Sequence, residues 1–452
     1  HAPALCVITG GGDMVLQPVG DDAGPADVVG SVDAGILAAA WSPDEDLLVL
    51  ITGGATPRLL LMTRHWDVVH EAPLATDDFG AEAPVNVGWG SKSTQFHGSE
   101  GKQAAMAAAQ APAAGDPRGP LVPDDDGLPR VSWRADGAYF VVSSAEPSAD
   151  GAHQHRLLRI YTRAGVLSAT SDPSVRGISH VLAVRPTGNL IATSQRMGGP
   201  YAPGRTGRHD IVFFERNGLR HGEFSLREDA ASMPDVPLAP SVPPLGPWVR
   251  ERTIERLAWN ADGTILAVHL RGATHVLQLW TTGNYHWYLK HEAEYDVVHD
   301  IAWHPEQPLT LLVAHTSVEL RTFWLETPCS RGLPPHDAAC AAVVDGAHVL
   351  LTPFRWHNVP PPMCAVALAD SPTPAAPATP VHVAWTTYAA DGATTDLLAL
   401  LYAGGHVHVW ALEYGPLATS QRPRPALMPR RVATCRLPDA ARAIQVALRV
   451  SD

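Results

Sequence analysis

The stretch "IERLAWNADGTILAVHL", residues 254–270, holds an apolar run ending at Trp259, a polar turn at Ala261-Asp262-Gly263, and a second apolar run. Each run is about the length of one strand, and an Asp-Gly turn between two such runs is a hairpin signal. The same grammar recurs at "ILAAAWSPDEDLLVLITG" (36–53), "VSWRADGAYFVVSS" (131–144) and "HDIAWHPEQPLTLLVAH" (299–315). In "VLAVRPTGNLIATSQ" (181–195), Val184 stands where the others have Trp. Pro-Asp, Ala-Asp-Gly and Pro-Thr-Gly supply the turn residues.

A further alternating run follows each hairpin: "RLLLMTRHWDVV", "LLRIYTRAGVL", "DIVFFERNGL", "VLQLWTTGNYHWYL" and "VELRTFWLE". The anchors at 41, 133, 184, 259 and 303 are separated by 92, 51, 75 and 44 residues. The shortest gap matches one four-stranded propeller blade, and the longer ones read as blades carrying insertions. A small antiparallel sheet cannot bury both of its faces alone, so neighbouring blades must cover it. Trp41, Trp133, Trp259 and Trp303 are accordingly read as blade-core residues, and loss of a fully buried one costs about 3–5 kcal/mol.

These units predict an all-β fold, a seven-bladed WD-repeat type β-propeller followed by the start of a second one. Residues 6–18, "CVITGGGDMVLQP", read as an orphan outer strand whose partners lie before His1, and residues 340–369 as a seventh unit. The expected division is a first propeller over 1–370 with its first strands missing, a Pro/Ala-rich linker over 371–380, and the beginning of a second propeller over 381–452. A start at His1 and a stop just after an apolar alternating run mark the chain as part of a longer protein.

Composition agrees. The 452 residues are 45% hydrophobic and 17% charged, enough to bury a large core, and 41 prolines with 38 glycines suit many short strands and turns. A net charge of -13 sets up a long-range field that repels nucleic acid and anionic membrane. Against it, Arg422, Arg424, Arg430, Arg431, Arg436, Arg442 and Arg449 gather near the end, where solvated charges compete with a basic patch as the reading. Cys6, Cys329, Cys340, Cys364 and Cys435 are scattered without a C-x-x-C pair, which suits a reducing compartment. No run reaches the roughly 18 apolar residues that a membrane-spanning helix needs, so no membrane partner is expected.

The segment "GWGSKSTQFHGSEGKQAA" (88–105) carries the residue types of chemistry without its spacing. Counting back from Gly101-Lys102 puts Phe96 at the first glycine of a phosphate loop, and Gln103 stands where Ser or Thr is required. No nucleophile elbow surrounds Ser99. The segment therefore reads as an insertion in the blade begun at Trp41, spanning about 77–129 and including a helix-compatible "KQAAMAAAQ". Inserts on a propeller rim often contact partners, which makes Phe96, His97 and Lys102 candidate partner contacts, against an insert that only seals its own blade.

Other constellations are weaker. His406 and His408 lie two apart on a strand, the spacing of two metal ligands, but no third ligand accompanies them. His153 and His155 repeat this in a loop-like context that suits exposed neutral histidines. "GNYHWYLK" (283–290) interleaves aromatic and basic residues as single-strand binders do, yet the alternation of Tyr285 and Trp287 equally serves a propeller core. "VPPPMC" (359–364) reads as a stiff connector or a docking segment. No catalytic, cofactor-binding or metal set emerges.

The segments "AAWSPDEDLLVL", "DDFG", "VGWGSKSTQFHGSEGKQAA", "DIVFFERNGLRHGEF", "QLWTTGNYHWYLK" and "VPPPMC" occur in order. Together they resemble the amino-terminal region of the largest subunit of the Elongator complex, the IKAP family, over about residues 5–370. The resemblance implies two propellers, then helical repeats and a carboxy-terminal region that forms a homodimer. It implies a non-catalytic scaffold that organises partner subunits for tRNA wobble-uridine modification, with no cofactor of its own. The implied partners are a catalytic subunit similar to radical SAM enzymes and acetyltransferases, and a second propeller subunit. Contact with tRNA is indirect, because the family's basic tRNA-contacting region lies in the carboxy-terminal part that this sequence does not cover. The implied location is the cytoplasm, with the nucleus second. The rival readings are a peptide-binding WD-repeat adaptor, a scaffold for transcription elongation and histone acetylation, and a propeller hydrolase with a central-channel pocket.

Overall fold

The computed structural model describes residues 4–20, 24–81, 119–148, 151, 153–173, 175–198, 209–226, 252–330, 338–359, 361–369, 379–390, 393–415 and 426–437. Among them every regular element is a strand, and all strand pairs are antiparallel. The chain divides into two compact units, His1–Leu226 and Arg227–Asp452.

The first unit contains β1 (Ala4–Ile8), β2 (Asp13–Pro18) and β3 (Asp27–Ser31) in one sheet, and β4 (Ile36–Trp41), β5 (Leu47–Thr52), β6 (Arg58–Thr63) and β7 (Val68–Pro73) in the next. Then come β8 (Arg130–Trp133), β9 (Tyr139–Pro147), β10 (Gln154–Thr162) and β11 (Leu167–Thr170), followed by β12 (Ala183–Val184), β13 (Ile191–Arg196), β14 (His209–Phe214) and β15 (Arg220–Ser225). Residues 6–18 are therefore not an orphan strand. The turn at Gly10-Gly11-Gly12 splits them into β1 and β2, which pair with each other, and β3 completes the sheet.

The apolar runs are continuous because both sheet faces are covered, and side chains alternate between them. Leu48 and Leu50 of β5 face Met14 and the β1–β3 sheet, whereas Val49 and Ile51 meet Phe140 and Val142 of β9. In β9, Tyr139 and Val141 turn the other way, onto Ile191, Val212 and Phe214. Each such fully buried side chain contributes about 1.5–3 kcal/mol.

The second unit holds β16 (Thr253–Trp259), β17 (Ile265–Arg271), β18 (His275–Gly283) and β19 (His286–Tyr295), then β20 (Asp300–Trp303), β21 (Thr310–Ala314) and β22 (Val318–Thr322). It continues with β23 (Cys340–Asp345), β24 (His348–Pro353) and β25 (Val366–Ala369), and ends with β26 (Pro380–Ala390), β27 (Ala393–Tyr402), β28 (His406–Tyr414) and β29 (Leu427–Arg436). Ile265, Leu277 and Leu279 pack on Ile301, Leu311 and Val313, while Cys340, Val349 and Leu368 share a core with Leu398, Tyr402 and Trp410. The sheet begun at Trp303 has three strands where that begun at Trp259 has four.

The hairpin turns follow the sequence. Gly137 and Gly263 adopt φ of 65° and 71° in the Ala-Asp-Gly turns, a region that a Cβ disfavours. In the first hairpin Glu45 takes that place at φ 57°.

Candidate interaction surface

Two of the repeated tryptophans, Trp133 and Trp303, join neighbouring sheets through their ring N–H groups. Trp133 Nε1 donates to the carbonyl of Ala40 at 3.2 Å, and Trp303 Nε1 donates to that of Ala258 at 3.1 Å. In both cases the acceptor lies one residue before the tryptophan of the preceding hairpin. Val184, which lacks such a donor, uses its backbone N–H to reach Ser132 Oγ at 3.1 Å. Trp259 is buried and lies 6.0 Å from the Trp287 ring, whereas Trp41, Trp133 and Trp303 are half-buried. Trp41 meets Trp66 edge-on at 5.9 Å.

Phe96, His97 and Lys102 lie outside the described residues, but both ends of their insert are described. At the entry, Gly80 has φ +90°, its N–H bonds Asp78 Oδ1 at 2.9 Å, and a Cβ there would meet the Ser168 backbone at 2.4 Å. At the exit, Asp125 forms a fully buried ion pair with Arg156: Nε donates to Oδ2 at 2.7 Å and Nη2 to Oδ1 at 2.5 Å. The Arg156 Nη1 also reaches the Leu128 carbonyl and Ser143 Oγ, each at 3.2 Å. Next to it, Arg159 pairs with buried Glu146 and donates to the carbonyl of Thr76 at 3.0 Å. These buried arginines tie both ends of the insert to β10.

Asp125, Asp126 and His180 bring three potential ligand atoms within 4.8 Å of one another. Both Asp125 oxygens are taken by Arg156, and Asp126 is bonded to Arg130. Burial, opposed by the charge of Asp126, holds His180 below the ordinary imidazole range. The arrangement is a structural ion-pair network whose donors are already engaged. His155, expected to be exposed, is buried at 1% in β10, because the strand begins one residue before it. His408 is buried beside the Tyr402 ring at 5.1 Å, and His406 is half-buried.

The "GNYHWYLK" segment divides its residues between turn and core. Asn284 and Tyr285 form the turn between β18 and β19, both with positive φ (50° and 60°), so the expected alternation breaks there. Tyr285 is fully exposed and does not join the core, while Trp287 packs on Trp259. Asn284 Nδ2 donates to the Pro361 carbonyl at 2.7 Å, and buried Asp345 receives the Leu289 N–H at 3.0 Å and lies 2.9 Å from His286 Nε2. Lys290 Nζ donates to the Val344 carbonyl at 2.8 Å and lies 4.6 Å from the Tyr288 ring centroid, and burial, opposed by Asp345, brings its pKa down to about 8. The aromatic and basic residues thus stitch β19 to β23, leaving Tyr285 alone at the tip. The Pro-rich segment after it connects β24 to β25.

Of the terminal arginines, Arg422, Arg424, Arg442 and Arg449 lie outside the described residues, while Arg430 is bonded to Glu413 at 2.8 Å and Arg431 lies 5.9 Å from the Trp410 ring centroid. A surface not singled out by the sequence lies on β22 and just after it, where Val318 and Leu320 are each 69% exposed and Trp324 is 73% exposed. Its signal was present in "VELRTFWLE", whose apolar residues alternate with charge, but alternation alone does not say which face is covered.

Comparison with known proteins agrees with this architecture. A profile described as the ELP1 first N-terminal beta-propeller matches residues 1–306, and one described as the ELP1 N-terminal second beta-propeller matches residues 343–428. The second match begins within β23, takes in β24–β28 and ends at the start of β29. Elongator complex protein 1 of Mus musculus is 36% identical over 381 residues, covering 81% of this chain and 25% of that protein. The Schizosaccharomyces pombe protein of the same name is 34% identical over 370 residues, with 81% and 26% covered. That of Saccharomyces cerevisiae is 34% identical over 358 residues, with 75% and 24% covered. The chain spans about a quarter of the length of these relatives. With its all-β sheets and both propeller profiles matched in order, the chain belongs to the Elongator complex protein 1 family.

Proposed function

We propose that this chain is a non-catalytic scaffold segment of an Elongator assembly, organising partner subunits for tRNA wobble-uridine modification. The supporting observation is the engagement of reactive side chains among the described residues in structural contacts: Asp125, Glu146, Lys290 and Asp345 hold strands or connecting segments in place. A scaffold needs stiff sheets with varied edges and loops, and the sheets here, with tryptophan rings bonded to neighbouring sheets, supply that. The partners in this reading are a radical SAM and acetyltransferase-like catalytic subunit and a second propeller subunit. Contact with tRNA runs through them, in keeping with the net charge of -13. The protein works in the cytoplasm, with a nuclear pool as the secondary location. Residues 1–370 and 381–452 act as portions of two propellers, and Phe96, His97 and Lys102 as partner contacts.

The test is affinity purification of the full-length protein under native conditions, with companions identified by mass spectrometry. Recovery of the radical SAM subunit is expected, and substitution of Phe96, His97 and Lys102 by alanine reduces its yield. Absence of that subunit from the purified material overturns the reading.

A further inference from the structure

Three consecutive aspartates close the exit of the insert, and each takes an arginine from a different strand. Asp124 Oδ1 accepts from Arg196 Nη1 of β13 at 3.1 Å, Asp125 holds Arg156 of β10, and Asp126 is bonded to Arg130 of β8. The segment is thereby clasped to two sheets at once, β8–β11 and β12–β15. Its backbone adds a bond from the Leu121 N–H to the Gln154 carbonyl of β10 at 2.9 Å, and one from the Asp125 N–H to the Val122 carbonyl at 3.0 Å. Two buried histidines stand against this clasp. His180, 5% exposed, brings a ring nitrogen within 4.8 Å of oxygens of both Asp125 and Asp126, with Arg130 and Arg156 also facing it and Ser179 Oγ 3.4 Å from its Nδ1. His209 opens β14 at 3% exposure, with Arg196 as its cross-strand neighbour and Asp124 and Asp210 as the carboxylates acting on it. Among the described residues, the buried Nε2 of His209 has no hydrogen-bond partner.

We propose that the clasp is a proton-operated latch: acidification charges His180 and His209, and the exit segment, residues 119–129, opens from β8, β10 and β13 while the sheets stay folded. Charges in the closed clasp balance, because each of the three carboxylates is matched by one guanidinium. An imidazolium formed at either ring therefore finds its counter-charges already paired with arginine and has a guanidinium beside it as well. Opening lets both imidazoliums into water and removes that conflict. Burial, opposed by Asp126 at His180 and by Asp124 at His209, keeps both rings below the ordinary imidazole range of 6.5 in the closed state. The open segment thus takes up protons first, so the closed latch is favoured above pH 6.5 and loses its advantage as pH falls below it. The entry of the insert, where Arg159 holds the Thr76 carbonyl, contains neither histidine. The latch does not rest on the scaffold reading.

The test is hydrogen exchange of the full-length protein, read by mass spectrometry from about pH 7.5 to about pH 4.5 and corrected for the pH dependence of intrinsic exchange. The opening equilibrium of residues 119–129 is expected to rise at least about tenfold between about pH 7.5 and about pH 5, starting near the histidine range, and these amides exchange faster than those of β9 throughout. His180→Gln combined with His209→Gln holds the rise to within about threefold. If the double variant does not fold, the wild-type curve decides by itself, because histidines take up protons near pH 6.5 and carboxylates only near about pH 4. A wild-type rise below about threefold, an opening that sets in only below about pH 4.5, exchange in step with β9, or a folded double variant with the wild-type response overturns the proposal.

Discussion

Replacing Asp125 by Asn tests the anchoring of the insert by its buried ion pair. Both side chains of the pair are fully buried, and the carboxylate takes two of the donors of Arg156. The substitution leaves the guanidinium in place with its bonds to Leu128 and Ser143 but without its counter-charge. Leaving one member of a buried pair costs about 3–5 kcal/mol, which in a unit of this size corresponds to a fall of about 6–20 °C in the midpoint of its unfolding. Removing both charges, as in Asp125→Leu combined with Arg156→Met, is expected to cost about 1 kcal/mol or less, because no uncompensated charge remains. Scanning calorimetry of the wild type, Asp125→Asn, the single variants Asp125→Leu and Arg156→Met, and their double variant measures the coupling. A loss below about 1 kcal/mol for Asp125→Asn, or a double variant as unstable as the singles, refutes the argument.

Two further outcomes follow from local geometry. Tyr285 sits fully exposed at φ 60°, so Tyr285→Gly relieves a left-handed strain and raises stability by about 1 kcal/mol in urea unfolding; a decrease would mean that the ring makes a stabilising contact. Burial, reinforced by the neighbouring His275 ring at 2.9 Å, depresses His269 from 6.5 to about 4. The unfolded chain therefore binds its proton first, and the stability present above pH 6.5 is lost as pH falls toward 4. Relative to His269→Gln, the wild type is expected to lose about 3 kcal/mol across that window, and parallel stability curves for the two proteins would show that His269 is not the titrating group.

The hairpins, their turns and the family were legible in the sequence, because strand alternation and turn chemistry act over a few residues. "AWNADG" and "SWRADG" state their strands and turns without outside help, and Gly137 and Gly263 sit where a positive φ is needed. The continuous apolar character of "LLVLIT" also announced a strand covered on both faces. The ion pair was not legible, since Asp125 and Arg156 are 31 residues apart and meet only because β10 returns beneath the end of the insert. Nor was the burial of His155 or the full exposure of Tyr285, which depend on where a strand starts and where a turn interrupts the alternation. The sequence by itself determined the strands, because each pleat sorts its own side chains with a period of two. Only the tertiary structure decided which faces and edges those strands leave open, because covering a face or an edge takes a neighbour from elsewhere in the chain or from outside it.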